Sequence, residues 1–233
     1  MRAPCKVSGT SARNGSRGES GPASVQPRVY RSENNINLGS LSIGSKGNKL
    51  VLFLGPTAAG KSTVIRQLAS LDPRFKYVAP FTTRQLRPGE TEKVSVSAAQ
   101  LDVMEEAGQL LARNQLYGHE YGTPRNGIEQ SLRAGCFPCL DWPIQQLHII
   151  AAAFPGRIFR IYIVPPSLAI LHQRLEADGR DSTGDRFIQA RTELNAFWSG
   201  SYNGLIDLVV INSDGQVPQI AESLRAALIA EST

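Results

Sequence analysis

The chain has 233 residues, one sizeable domain's worth with a surplus, a formal net charge of +5 and 41% hydrophobic residues. It holds no apolar run of roughly 18 residues and no apolar core behind a basic start, so a membrane span and secretion are not expected. Three cysteines, an odd number, argue against a disulfide framework.

Residues 1–47 are rich in Ser, Gly, Asn, Pro and Arg, a composition that cannot bury enough apolar surface to offset its ordering entropy. Seven basic residues there (Arg2, Lys6, Arg13, Arg17, Arg28, Arg31, Lys46) outnumber two acids (Glu19, Glu33) by five, the net charge of the whole chain. The basic surplus therefore belongs to this segment, and the remainder is not expected to bind nucleic acid or a membrane. A disordered extension is predicted. An Arg- and Ser-rich organellar transit segment, or a nucleic-acid or membrane tether, are the alternatives; without transit the protein is expected in the cytoplasm.

From residue 48 the pattern alternates. Leu50-Val51-Leu52-Phe53-Leu54 reads as a buried strand, and residues 61–71 read as a helix with apolar residues at Val64, Ile65 and Leu68. A short strand near Tyr77-Val78 precedes a polar, basic loop over 82–95, a helix over about 97–107 and a strand beginning at Leu110-Leu111. Thr123 is placed to cap a helix whose first residue is Pro124 and which stops at Gly135. A strand then reaches Asp141, with Pro138 an awkward member because it removes a ladder donor. Helices at 143–153, 167–176, 185–198 and 216–229 alternate with strands at 158–164 and 207–211. Strands separated by helices predict an α/β fold with a parallel sheet flanked by helices.

Between the first strand and helix lies Gly55-Pro56-Thr57-Ala58-Ala59-Gly60-Lys61-Ser62, which fits G-x-x-x-x-G-K-[ST], with Thr63 next. Glycines let the backbone curl until its N–H groups converge on phosphate oxygens. Lys61 adds a point charge for the terminal phosphates, and the Ser62 hydroxyl is placed to hold Mg²⁺. A second dense cluster, Thr82-Thr83-Arg84-Gln85-Leu86-Arg87-Pro88-Gly89-Glu90, sets two arginines three apart beside hydroxyls, a pattern suited to bidentate capture of a phosphate monoester. Cys136 and Cys139 form a C-x-x-C, but no second pair exists and His119, His148 and His172 are scattered, so filler is the expected role for all of these.

On these motifs, with Glu106-Ala107-Gly108, Tyr121-Gly122-Thr123-Pro124, Leu140-Asp141 and Val164-Pro165-Pro166-Ser167-Leu168, the chain from Lys49 to Leu228 resembles the guanylate kinase family. The resemblance implies a P-loop core over 48–233, a monophosphate-binding part over about 80–125 and a helical lid over about 174–192, with ATP donating to a bound monophosphate and Mg²⁺ as cofactor. It further implies that Gly55 to Thr63 hold the ATP phosphates, that Ser62 and Asp141 serve the metal, and that Arg84, Arg87, Tyr121 and Thr123 hold the acceptor. Lys61, Asp141, Arg174 and Arg186 would be catalytic, the two arginines neutralising the transferring group. The family's Arg-Gly pair reads Asp178-Gly179 here, with Arg180 as a shifted substitute.

The departures cluster on base recognition. Pro80 stands where the family has serine, Ala112 where it has glutamate and Pro143 where it has a second aspartate, while Thr123 keeps its hydroxyl. The segment after Glu90 is also short and lacks an Asp-Tyr pair. Polar readers reject mismatched ligands by about 10⁴–10⁵, and apolar replacements surrender that power. Three readings follow: a kinase for GMP or another nucleoside monophosphate, a kinase for another phosphorylated acceptor such as ribose 1,5-bisphosphate, and a binding module descended from the enzyme. The oligomeric state is not legible.

Overall fold

The structure, a computed structural model, describes residues 28–30, 47–86, 90–179 and 181–230. Arg87 and Arg180 lie outside the described residues, as does most of the 1–47 segment.

A six-stranded parallel sheet forms the centre, in the order β1 (Arg28–Tyr30), β10 (Leu208–Ile211), β9 (Ile158–Val164), β2 (Leu50–Leu54), β8 (Phe137–Asp141), β3 (Phe75–Tyr77). All five residues of β2 are fully buried, as an apolar run covered on both faces must be. Successive side chains point to opposite faces. Val51 and Phe53 join one core with Val64, Ile65 and Leu68 of α1 (Lys61–Leu71) and Ile220 and Leu224 of α7 (Val217–Ala230). Leu50, Leu52 and Leu54 join another with Ile128 of α3 (Arg125–Arg133), Ile150 of α4 (Leu147–Ala153), Leu171 of α5 (Leu168–Asp178) and Leu194 of α6 (Asp185–Trp198).

The expectation of a wholly disordered extension is corrected at Arg28–Tyr30, which pairs in parallel with Leu208–Val210 at the edge of the sheet. Extended backbone beside an open edge finds ladder partners whatever its composition. Pro138 is accommodated in β8 by register. Phe137 N–H and Cys139 C=O bond toward β3, the pairing with β2 begins only at Cys139, and the missing Pro138 donor faces β2 below that first rung.

A second, four-stranded sheet, absent from the sequence reading except for its start at Leu110, runs β5 (Val94–Ser95), β4 (Phe81–Thr82), β7 (His119–Pro124), β6 (Leu110–Leu116). The loop expected over 82–95 is thus flanked by two short strands. Strands β6 and β7 turn through Tyr117 and Gly118, both at positive φ (51° and 75°), the conformation a two-residue hairpin demands. Between β5 and β6, α2 (Ala98–Glu106) carries a capping box, Ser97 with Gln100, whose short polar side chains satisfy end groups the helix leaves open. The expected helix cap at Thr123 is corrected. Thr123 belongs to β7, Pro124 is still extended (ψ 122°), and α3 starts at Arg125. The helix expected from 143 begins as a single 3-10 turn over Ile144–Gln146 before α4.

Candidate functional site

A cleft of about 750 Å³ lies between the phosphate loop, the second sheet and the segment from α5 to α6, a size that encloses a small-molecule ligand. The loop owes its curl to two glycines. Gly55 has φ 122° and Gly60 φ 93°, and a Cβ would meet the Ile163 carbonyl oxygen at the first and the Asn212 amide at the second. Ala58 also lies at positive φ, 58°, a sparsely populated setting for a residue with a side chain.

Lys61 opens α1 and folds back over the loop, its Nζ donating to Gly55 O (2.6 Å) and Pro56 O (2.7 Å) and lying 3.7 Å from Asp141 Oδ1. Asp141 ends β8, the neighbour of β2, at the carboxyl end where open α/β sheets bind ligands. It accepts from Ser62 Oγ at 3.3 Å and keeps a third of its side chain exposed. The fold thus brings Lys61, Ser62 and Asp141 together, as the sequence motifs imply.

Asn212, just past β10, was not foreseen. Buried, it donates from Nδ2 to Ala59 O (2.8 Å) across 153 positions and fastens the loop from below. Asn212→Ala is expected to lower unfolding free energy by about 1–3 kcal/mol, because it leaves a buried carbonyl without a donor. Denaturant titration reads this directly.

Arg174 on α5 lines the cleft, donating from Nη2 to Asn212 O (2.8 Å) and Asp214 Oδ1 (2.6 Å). Arg186 also lines it, with its guanidinium 4.1 Å from the centroid of the Tyr117 ring, so the hairpin tip of the second sheet meets the first turn of α6. That turn is held by Asp181, which accepts from the Arg186 and Phe187 backbone N–H groups at 2.9 Å each.

Tyr121 and Thr123 face the cleft from β7. Arg84, an arginine expected at the acceptor, is 8% exposed, its Nη2 gripping both oxygens of the cleft-lining Glu90 (2.9 and 2.7 Å) and its Nη1 donating to Gln85 O (2.7 Å). Burial works against its charge, but the Glu90 carboxylate and Tyr121 hydroxyl more than offset it and hold the proton on more firmly than usual. The cation that lines the cleft beside Glu90 is Lys93, which had not been singled out. Pro80 and Pro143 do line the cleft, whereas Ala112 packs against the second core. Cys139 is buried and burial pushes its thiol up, which keeps it a protonated core residue at neutral pH.

Glu193 on α6 is the other unforeseen group. It lines the cleft, accepts from Tyr162 Oη (3.2 Å), and Tyr162 is itself stacked on Phe197 at 4.7 Å. Burial pushes its carboxyl above the usual range; Lys61 and Tyr162 pull it back only in part, and the Asp141 charge pushes it further up. A raised folded pKa means that the folded state holds this proton longer than the unfolded chain. Its stabilising contribution is present below the ordinary carboxylate pKa, about 4.3, and is lost as pH rises through the folded value. Glu193→Gln is therefore expected to gain thermal stability over the native chain progressively from pH 4 to pH 8. A difference in thermal midpoint that stays flat over this range contradicts the assignment.

The family model described as "Guanylate kinase" matches residues 47–230. A guanylate kinase of Desulfitobacterium hafniense is 35% identical over 185 residues, covering 78% of this chain and 90% of that protein. One of Granulibacter bethesdensis is 33% identical over 195 residues, covering 82% and 87%. Among solved structures, guanylate kinase from Anaplasma phagocytophilum superposes with a TM-score of 0.62 at 23% identity, covering 81% of this chain and 88% of that one, and so shares the fold. The phosphate loop, the carboxylate at the end of the adjacent strand and the hairpin sheet facing them lie within this match, which takes in all of the described core, and the chain belongs to the guanylate kinase family.

Proposed function

We propose that this protein transfers the γ-phosphoryl group of ATP to the phosphate of GMP, yielding ADP and GDP. The observation that carries the reading is the meeting of Lys61, Ser62 and Asp141 on one wall of a cleft whose opposite wall presents Tyr121, Thr123 and Lys93. A phosphate grip on each side is what a two-substrate transfer needs. The relatives are guanylate kinases, so the sugar-bisphosphate and adaptor readings are not favoured.

In the transfer, an acceptor phosphate oxygen bonds to the γ-phosphorus while the bond to the β-phosphate oxygen breaks, and that oxygen leaves with the electron pair as part of ADP. The attacking oxygen is already anionic, so no side chain has to remove a proton. Catalysis then rests on positioning and charge neutralisation. Loop N–H groups and Lys61 hold the donor phosphates, and Arg174 and Arg186 stand at the cleft to neutralise the moving group. Tyr121, Thr123 and Lys93 hold the acceptor, with Arg84, paired with Glu90, fixing Tyr121 by a side-chain hydrogen bond. Ser62 and Asp141 offer the hard oxygen donors that suit Mg²⁺, and the ion would supply charge neutralisation between the phosphates. Among the described residues no helix is long and apolar enough to cross a membrane.

The purified full chain is expected to release no ADP from Mg-ATP alone and to release it when GMP is added. ADP release without any acceptor nucleotide, or none with GMP, overturns the reading.

A further inference from the structure

The cleft carries a polar device that the proposed transfer does not use. Asn114 on β6 is paired across the ladder with Tyr121 and shares the cleft-lining face with Tyr121 and Thr123. Its Nδ2 donates to Gln146 Oε1 at 3.0 Å, which ties β6 to the 3-10 turn that follows Pro143. The lining of the same cleft includes Pro80, Pro143 and Trp142, apolar groups suited to the faces of a planar ring. Glu90, the carboxylate on this side of the cleft, is already gripped by Arg84 and Lys93.

We infer that Asn114, held by Gln146, reads the base of the acceptor and does so through a reversible amide, so that the site accepts both guanine and adenine nucleoside monophosphates. The inference rests on the nucleoside-monophosphate kinase reading above. The Watson–Crick edge of guanine offers an acceptor at O6 beside a donor at N1–H. Adenine offers the reverse, a donor at its amino group beside an acceptor at N1. A side-chain amide carries one acceptor and a two-hydrogen donor, and half a turn about its terminal bond exchanges them. Gln146 is also an amide. When Asn114 turns over, Gln146 turns with it, and the bond between them survives with donor and acceptor exchanged.

A carboxylate in this place would behave otherwise, because it accepts only: guanine offers it two adjacent donors, N1–H and the 2-amino group, whereas adenine N1 would face it lone pair against lone pair. Strong rejection of a wrong ligand, about 10⁴–10⁵, requires that the wrong ligand strand a buried polar group. Neither purine strands this amide. The apolar neighbours add no discrimination, since both rings present the same faces.

The test is steady-state kinetics of the full chain with GMP and AMP, on the native chain and on Asn114→Asp and Asn114→Leu. The native chain is expected to favour GMP over AMP by less than about 100-fold in kcat/KM, a range set by single hydrogen bonds rather than stranded groups. Asn114→Asp, nearly isosteric, is expected to raise that preference at least tenfold, because it fixes the acceptor polarity that guanine N1–H needs. Asn114→Leu is expected to raise KM for both purines about tenfold with kcat little changed, as loss of a ground-state contact does. A native preference of about 10⁴ or more, or a preference unmoved in a folded Asn114→Asp protein that still turns over GMP, overturns the inference and leaves the phosphoryl-transfer reading standing. No turnover of either nucleotide by the native chain overturns both.

Discussion

Replacing Lys61 by methionine is expected to lower kcat by about a thousandfold while the protein remains folded. The methionine keeps the length of the stem and removes the charge. In the folded chain the ammonium sits at the loop carbonyls of Gly55 and Pro56 and within 3.7 Å of Asp141, which in the proposed transfer is where negative charge gathers. Removing one preorganised charge-stabilising group typically costs about 10²–10³ in rate, and a full charge lies at the upper end. The structural cost is small by comparison. Two part-buried hydrogen bonds to loop carbonyls contribute about 1 kcal/mol each. Arginine is not expected to rescue activity, because its planar fork does not reproduce a compact ammonium in so tight a curl. Circular dichroism and a denaturation midpoint check the fold, and turnover of GMP checks the chemistry. A folded Lys61→Met protein with more than a tenth of native kcat would place the ATP phosphates elsewhere.

Asp141→Asn is expected to reduce kcat by about a hundredfold and to raise the Mg²⁺ concentration needed for half-maximal rate by about 10–100-fold. The two effects share one cause. Asp141 is the carboxylate that faces both Lys61 and the Ser62 hydroxyl, and an amide there keeps the shape while losing the charge that attracts a hard cation. Titrating Mg²⁺ at saturating ATP separates this from simple misfolding, since a merely damaged protein loses rate at every concentration alike. An unchanged Mg²⁺ midpoint would remove Asp141 from the metal's surroundings.

Much of this site is legible in the linear chain because its chemistry is local. Gly55 to Thr63 are contiguous, and the strand, curl and helix they join are set by apolar alternation and by glycines whose positive φ admits no side chain. The central sheet was legible for the same reason, since a buried parallel strand such as 50–54 is apolar throughout. The second sheet was not. Its strands β4 and β5 are two residues each, below the length at which alternation becomes visible, and β7 is mostly polar on the side that faces the cleft. Thr123 at its end looked like a helix cap because Thr-Pro reads the same way before a helix whether or not the threonine is still in a strand.

What escaped entirely were groups whose role depends on distant partners. Asn212 meets the phosphate loop across 153 positions, Glu193 meets Tyr162 across 31 and Asn114 meets Gln146 across 32. None carries a local signature, since one amide or carboxylate in a strand or helix is most often solvated. Arg84 marks the opposite case: its residue type is plain in the chain, but only the folded positions of Glu90 and Tyr121 show what its fork grips. Short-range backbone geometry and apolar periodicity thus write the phosphate grip and the parallel core into contiguous residues. The base reader, the clamp under the loop and the charge state of the buried carboxylate arise from desolvation and pairing between remote segments, and these exist only after the chain has packed.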